Sequence, residues 1–111
     1  MAEISKESEK KLSQLQMLEQ SMQSLLMQKQ QFQVQQVEIE SALKELEKVD
    51  EAYKIIGNIM VLLKKADLKE DLVSKKEIAE LRIKNLEKQE NHLREKASKL
   101  QSEILKEMGQ D

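Results

Sequence analysis

A single stretch interrupts a chain that otherwise reads as amphipathic helix: residues 53–63, with the sequence YKIIGNIMVLL. Gly57 and Asn58 lie between two runs rich in Ile and Val, the pattern of a β-hairpin closed by a two-residue turn. Gly at the first central position supplies the positive φ that a type II′ turn requires. That turn sets Ile56 opposite Ile59, Ile55 opposite Met60, Lys54 opposite Val61, Tyr53 opposite Leu62 and Ala52 opposite Leu63. Because side chains alternate along a strand, one face is Tyr53, Ile55, Met60 and Leu62, wholly apolar, and the other carries Ile56, Ile59 and Val61 beside Lys54. A lone two-stranded hairpin is marginal in water, and this one would expose an oily face and both its edges. The chain offers no further strand. Several copies, or copies with a relative, are therefore expected to pool their hairpins into a shared sheet or barrel.

A heptad seam runs on either side of the hairpin. Upstream, Leu15, Leu18, Met22, Leu25, Lys29, Phe32, Gln36, Ile39, Leu43 and Leu46 follow alternating steps of three and four, and eight of the ten are apolar. Downstream the same steps give Leu72, Lys76, Ala79, Ile83, Leu86, Glu90, Leu93, Ala97, Leu100 and Ile104, again with eight of ten apolar. Such runs prefer a coiled coil to a short amphipathic helix. A tight hairpin reverses the chain, so the two helices should fold back antiparallel and bury their seams against each other. The fold class this predicts is all-α dominated: an antiparallel two-helix coiled coil whose helices are joined by one β-hairpin that assembles with other subunits into a shared sheet or a β-barrel body. A single domain over residues 1–111 would comprise helix 5–49, hairpin 52–64 and helix 67–108. Asp67 with Glu70 resembles a capping box that starts the second helix, and Ser74 with Glu77 is a rival start. Glu80 with Lys84, Glu90 with Arg94 and Glu95 with Lys99 stand at i and i+4 in the favourable order. Among the polar seam positions, Lys29 and Glu90 fall within about one layer of each other. They either form a register-setting ion pair or lie along the seam with their charges in water.

Composition narrows the function. Charged residues are 36% and aromatics 2%, with two Gly and no Pro, which suits long helices rather than a globular core. With 19 basic against 21 acidic residues the net charge is −2, so no excess positive field draws phosphate backbones, and no nucleic-acid partner is expected. Met1–Lys11 lacks the apolar core of a secretory signal, and the apolar run Ile59–Leu63 is too short to span a bilayer. A cytoplasmic protein with no membrane partner is the expectation. Catalysis needs polar groups converging in a water-poor cavity, which a two-helix rod does not enclose. The single histidine, His92, sits beside Asn91 on a solvent-facing position without a second His or any Cys to make a ligand set. Neither an enzyme nor a cofactor or metal site is expected.

Several apolar residues lie off the seam near the two chain ends: Leu12, Met17, Leu26 and Met27 on the first helix, Leu105 and Met108 on the second. In an antiparallel pair of helices these meet at the end farthest from the hairpin. Displayed there, with adaptable Met among them, they suit varied nonpolar partners. The competing reading packs them against frayed helix ends or a neighbouring chain.

The arrangement resembles prefoldin, in detail its β class. Tyr53-Lys54-Ile55-Ile56-Gly57-Asn58-Ile59-Met60-Val61 is similar to the family's Y-K-x-x-G-x-x-x-V hairpin stretch, and Leu86-Glu87-Lys88-Gln89-Glu90 with Leu93, Lys96 and Leu100 is similar to its second helix. One hairpin and a short chain match the β class; the α class is longer and has a second hairpin. Leu62-Leu63 departs from relatives that become polar sooner. The resemblance implies a hexamer of two α-class and four β-class subunits, copies of this chain among them, whose hairpins form a double barrel carrying six helical tentacles. It further implies ATP-independent holding of unfolded proteins and their delivery to a group II chaperonin. Carried onto this sequence, assembly falls to Tyr53, Ile55, Ile56, Gly57, Ile59, Met60, Val61 and Leu62. Client binding falls to Leu12, Met17, Leu18, Met22, Leu26, Met27, Leu105 and Met108. A structural coiled-coil adaptor with a fixed partner is the alternative from another class.

Overall fold

The heptad steps written into the sequence are the steps by which the helices are buried. The structure, a computed structural model, describes residues 5–109. In chain order it contains helix α1 (Lys6–Glu47), strands β1 (Ala52–Ile56) and β2 (Ile59–Leu63), and helix α2 (Lys65–Glu107). Every expected seam position on both helices is buried or half-buried. The most enclosed apolar side chains are Leu46, Ala79, Ile83, Leu86, Ala97 and Ile104. Each fully buried Leu or Ile contributes up to about 1.5–3 kcal/mol, while the two alanines let the facing helix approach closely.

Local chemistry sets the helix ends, and two of the four, the end of α1 and the start of α2, differ from the sequence reading by two residues. At its start, α1 is capped by Ser5: the Ser8 N–H donates to Ser5 Oγ at 3.1 Å, satisfying an otherwise orphan amide. At its other end α1 stops at Glu47 rather than 49. The Lys48 and Val49 amides donate to the carbonyls of Glu45 and Leu46, tightening the last turn into i→i−3 bonds. Helix α2 begins at Lys65, two residues before Asp67, so neither the Asp67 box nor the Ser74 start forms. Lys65 and Ala66 are good helix formers with no breaker before them, and Asp67 serves the first turn instead, where its charge favours the helix dipole. The Lys65 ammonium also donates to the Glu47 carbonyl at 3.2 Å, so one side chain at the start of α2 closes the end of α1. Gly109, at φ +74°, ends α2 with its N–H on the Lys106 carbonyl.

The described chain separates into two compact units. One, the hairpin unit, is Gln30–Lys84; the other, the helix-end unit, joins the chain through Lys29 with the chain from Asn85 onward. Within each unit α1 and α2 run antiparallel. In the helix-end unit Lys11 meets Glu107 and Lys29 meets Glu90; in the hairpin unit Arg82 lies over the Phe32 ring and Lys76 meets Glu40. The strands pair antiparallel in the register set by the sequence, Ala52 with Leu63 through Ile56 with Ile59, so β2 runs through Leu62-Leu63 to its end. Positive φ at the turn is confined to Gly57, at +61°. A type I′ turn would need it at Asn58 as well, so the turn is of the II′ kind.

Candidate functional site

The hairpin unit presents its apolar face uncovered. Tyr53, Ile55, Met60 and Leu62 are all exposed, Ile55 at 72%. On the opposite face Ala52, Lys54, Val61 and Leu63 are half-buried, while Ile56 and Ile59, beside the turn, are exposed. What orients the hairpin is a charge. Lys54 donates to Asp71 on α2 at 3.3 Å, and Lys75 reaches the same carboxylate oxygen at 3.1 Å. Hydrogen bonds from Lys75 and then Lys54 hold the Asp71 carboxyl below its ordinary value. The polar side chain on the mixed face thus turns that face toward the helix and leaves the apolar one outward. Among the residues assigned to assembly, Val61 is half-buried and the others are exposed.

The helix-end unit has a different surface. Met17 and Met27 are each 65% exposed, and Leu26, Leu105 and Met108 are exposed too. Leu18 and Met22, which also belong to the seam, are half-buried, as is Leu12, which the sequence places off the seam. Met22 and Leu26 line a groove with Glu90 and Arg94, and Met17 and Leu18 line another with Leu100.

Polar layers fix the helices of this unit. Lys29 and Glu90 form an ion pair at 3.2 Å, with side chains only 17% and 15% exposed, and Arg94 grips the second Glu90 oxygen at 2.7 Å. Of the three i,i+4 pairs read from sequence, this last one closes; among the described residues the other two stay beyond ion-pair distance. A second polar layer, absent from the sequence reading, lies near the ends of the chain. Ser8, 2% exposed, donates its hydroxyl to Glu107 at 2.6 Å and accepts one from Ser5, while Lys11 pairs with Glu107 and, at 3.4 Å, with Glu103. Hydrogen bonding from Lys11, then from Ser8, lowers the Glu107 carboxyl, and the Glu107 hydrogen bond raises the Lys11 ammonium. Extending the seam by its own steps would have reached these residues: Ser8 and Lys11 stand seven before Leu15 and Leu18, and Glu107 three beyond Ile104.

Among the described residues no three His, Cys, Asp or Glu side chains gather so as to hold a metal ion, and no helix is long and apolar enough to cross a membrane. The described residues define a class: two long helices joined by one β-hairpin whose apolar face is exposed. Comparison with known proteins specifies it. The family model for a prefoldin subunit matches residues 9–111. The prefoldin subunit beta of Archaeoglobus fulgidus is 39% identical over 107 residues, covering 94% of this chain and 92% of that one. That of Pyrobaculum neutrophilum is 41% identical over 91 residues, covering 79% and 72%. The crystal structure of the prefoldin beta subunit from Thermococcus strain KS-1 superposes with a TM-score of 0.88 at 33% identity, covering 96% of each chain. The chain belongs to the prefoldin family of chaperone subunits, and its relatives are β subunits.

Proposed function

We propose that this chain is the β-class member of a hexamer of two α-class and four β-class subunits, in the cytoplasm, which holds unfolded proteins without ATP and passes them to a group II chaperonin. Assembly is assigned to Tyr53, Ile55, Ile56, Gly57, Ile59, Met60, Val61 and Leu62, whose hairpins pool into a barrel body. Clients are assigned to Leu12, Met17, Leu18, Met22, Leu26, Met27, Leu105 and Met108. The observation that carries the reading is the exposure of Met17, Leu26, Met27, Leu105 and Met108 in a unit whose seam is already closed without them. Unbranched Met and Leu side chains adapt to many apolar shapes, which suits loose capture of varied segments better than one fixed docking partner.

The test replaces Met17, Met27, Leu105 and Met108 with Ser in one chain. Each apolar contact contributes up to about 1.5–3 kcal/mol when fully buried, so losing even partial burial at four positions makes capture weaker by orders of magnitude. The assembled complex should keep its mass and helicity, because these residues lie outside both the seam and the hairpin. Suppression of aggregation, measured on a denatured protein diluted into nucleotide-free buffer, should fall. Equal protection by both complexes would move the client site elsewhere, and no protection by the wild type would favour the structural adaptor.

A further inference from the structure

The groove between α1 and α2 in the helix-end unit is not electrically neutral. It has a volume of about 590 Å³ and is lined on the apolar side by Met17, Leu18 and Leu100. Its α1 flank is completed by Gln14 and Ser21, which carry no charge; its α2 flank carries Lys96 and Lys99. Among the described residues neither lysine has a carboxylate within ion-pair distance, and Glu95, one turn before Lys99, does not close on it. The one carboxylate lining the groove, Glu103, pairs at 3.4 Å with Lys11, which it shares with Glu107. Among the described residues an apolar trough therefore runs beside two ammonium groups that have no ion-pair partner, both on a single flank.

Resting on the client-holding reading above, we propose that this groove selects among unfolded segments. It takes those in which apolar side chains are flanked by Asp or Glu and disfavours those flanked by Lys or Arg. The apolar part of such a segment seats on Met17, Leu18 and Leu100, and its carboxylates meet Lys96 and Lys99. The chemistry is additive: apolar burial supplies affinity whatever the flanks, and the lysines rank one segment above another. A free lysine pair beside an apolar surface also repels basic segments, so discrimination comes from both signs of flank.

The experiment uses the full chain and three fluorescent peptides that share one apolar core and differ in their flanks: Asp/Glu, Ser/Gln or Lys. Anisotropy should rank the acidic-flanked peptide about fivefold tighter than the neutral one, with the lysine-flanked peptide weakest, since exposed pairs contribute modestly. The ranking should collapse in about 0.5 M salt. In the K96E/K99E variant it should invert while circular dichroism is unchanged. Met17→Ser should weaken all three peptides by a similar factor and leave their order intact. Equal wild-type affinities for the three peptides overturn the selectivity and leave client holding standing. Binding of none of them overturns the inference, and overturns client holding as well when the assembled complex also fails to suppress aggregation. Self-association of the wild type that Met17→Ser abolishes would assign the groove to a second copy of the chain and overturn the inference.

Discussion

The hairpin unit and the helix-end unit both leave apolar side chains in water, and they do so with different chemistry. On the hairpin the exposed residues sit on a hydrogen-bonded ladder, where register fixes which side chains share a face; β-branching stiffens Ile55 on the outward face and Ile56 and Ile59 beside the turn on the other. In the helix-end unit they are mostly Met and Leu, on helix positions that no seam constrains, with lysines and glutamates between them. A stiff, contiguous face suits a partner of one shape. A scattered, pliable one suits many shapes. The family's subunits assemble with one another, and the hairpin face has the properties such an interface asks for.

The largest effect should come from placing a charge on the stiff face. Ile55→Asp would set an unpaired carboxylate against a neighbour's strands, costing on the order of several kcal/mol per interface. Light scattering should report smaller species while circular dichroism stays helical; the same change at Met17 should leave assembly size alone. If both substitutions dissociated the complex equally, the contrast between the units would fail.

Next in size is Gly57→Val. A Cβ there meets no atom within 4 Å, so the penalty is conformational alone, about 1–2 kcal/mol for the left-handed backbone at φ +61°. Thermal melts of the assembled complex should fall for Gly57→Val and hardly move for Asn58→Gly. A neutral Val would exclude the II′ turn.

In the helix-end unit, Glu90→Ala strands Lys29 in a seam where it is mostly covered. About 1 kcal/mol of stability should be lost, less than for a fully buried pair because water still reaches both side chains. Replacing Lys29 and Glu90 together with Met should recover most of it in a denaturant titration.

The smallest effect is one of pH. Glu107 is held below its ordinary 4.5, so its contribution is complete above that value and disappears as pH falls through the lowered one. Lys11 is raised above 10.5, so its contribution is complete below that value and disappears as pH climbs past it. Between those limits the Ser8–Lys11–Glu107 cluster should stay closed. The methyl resonance of Met108, next to Glu107, should shift on acidification in the wild type and not in Glu107→Gln.

Much of this could be read from the order of residues. Seam steps located both helices, and a two-residue turn with Gly first determined the register and the identity of each hairpin face. What escaped was polar. A search for apolar repeats passes over Ser8, Lys11 and Glu107, although they occupy the next positions of the same steps, because their partnership is hydrogen bonding across the seam. Cap rules missed the start of α2 because Lys65 and Ala66 are good helix formers that continue the helix two residues ahead of Asp67. Val34, Val37, Ile78 and Leu81 are exposed in the hairpin unit and were singled out by no pattern, since exposure depends on what the neighbouring helix leaves uncovered.

If the hairpin face is the proposed assembly surface, the stability of this chain is a matter of mass action. On the proposed assembly, where other subunits cover that face, stability grows with the logarithm of free partner concentration, so the melting temperature climbs with protomer concentration. Subunits made in excess of their partners keep two open strand edges and an oily face, the features that invite indiscriminate strand pairing. The supply of partners, as much as any residue in the chain, then decides whether a newly made copy lasts.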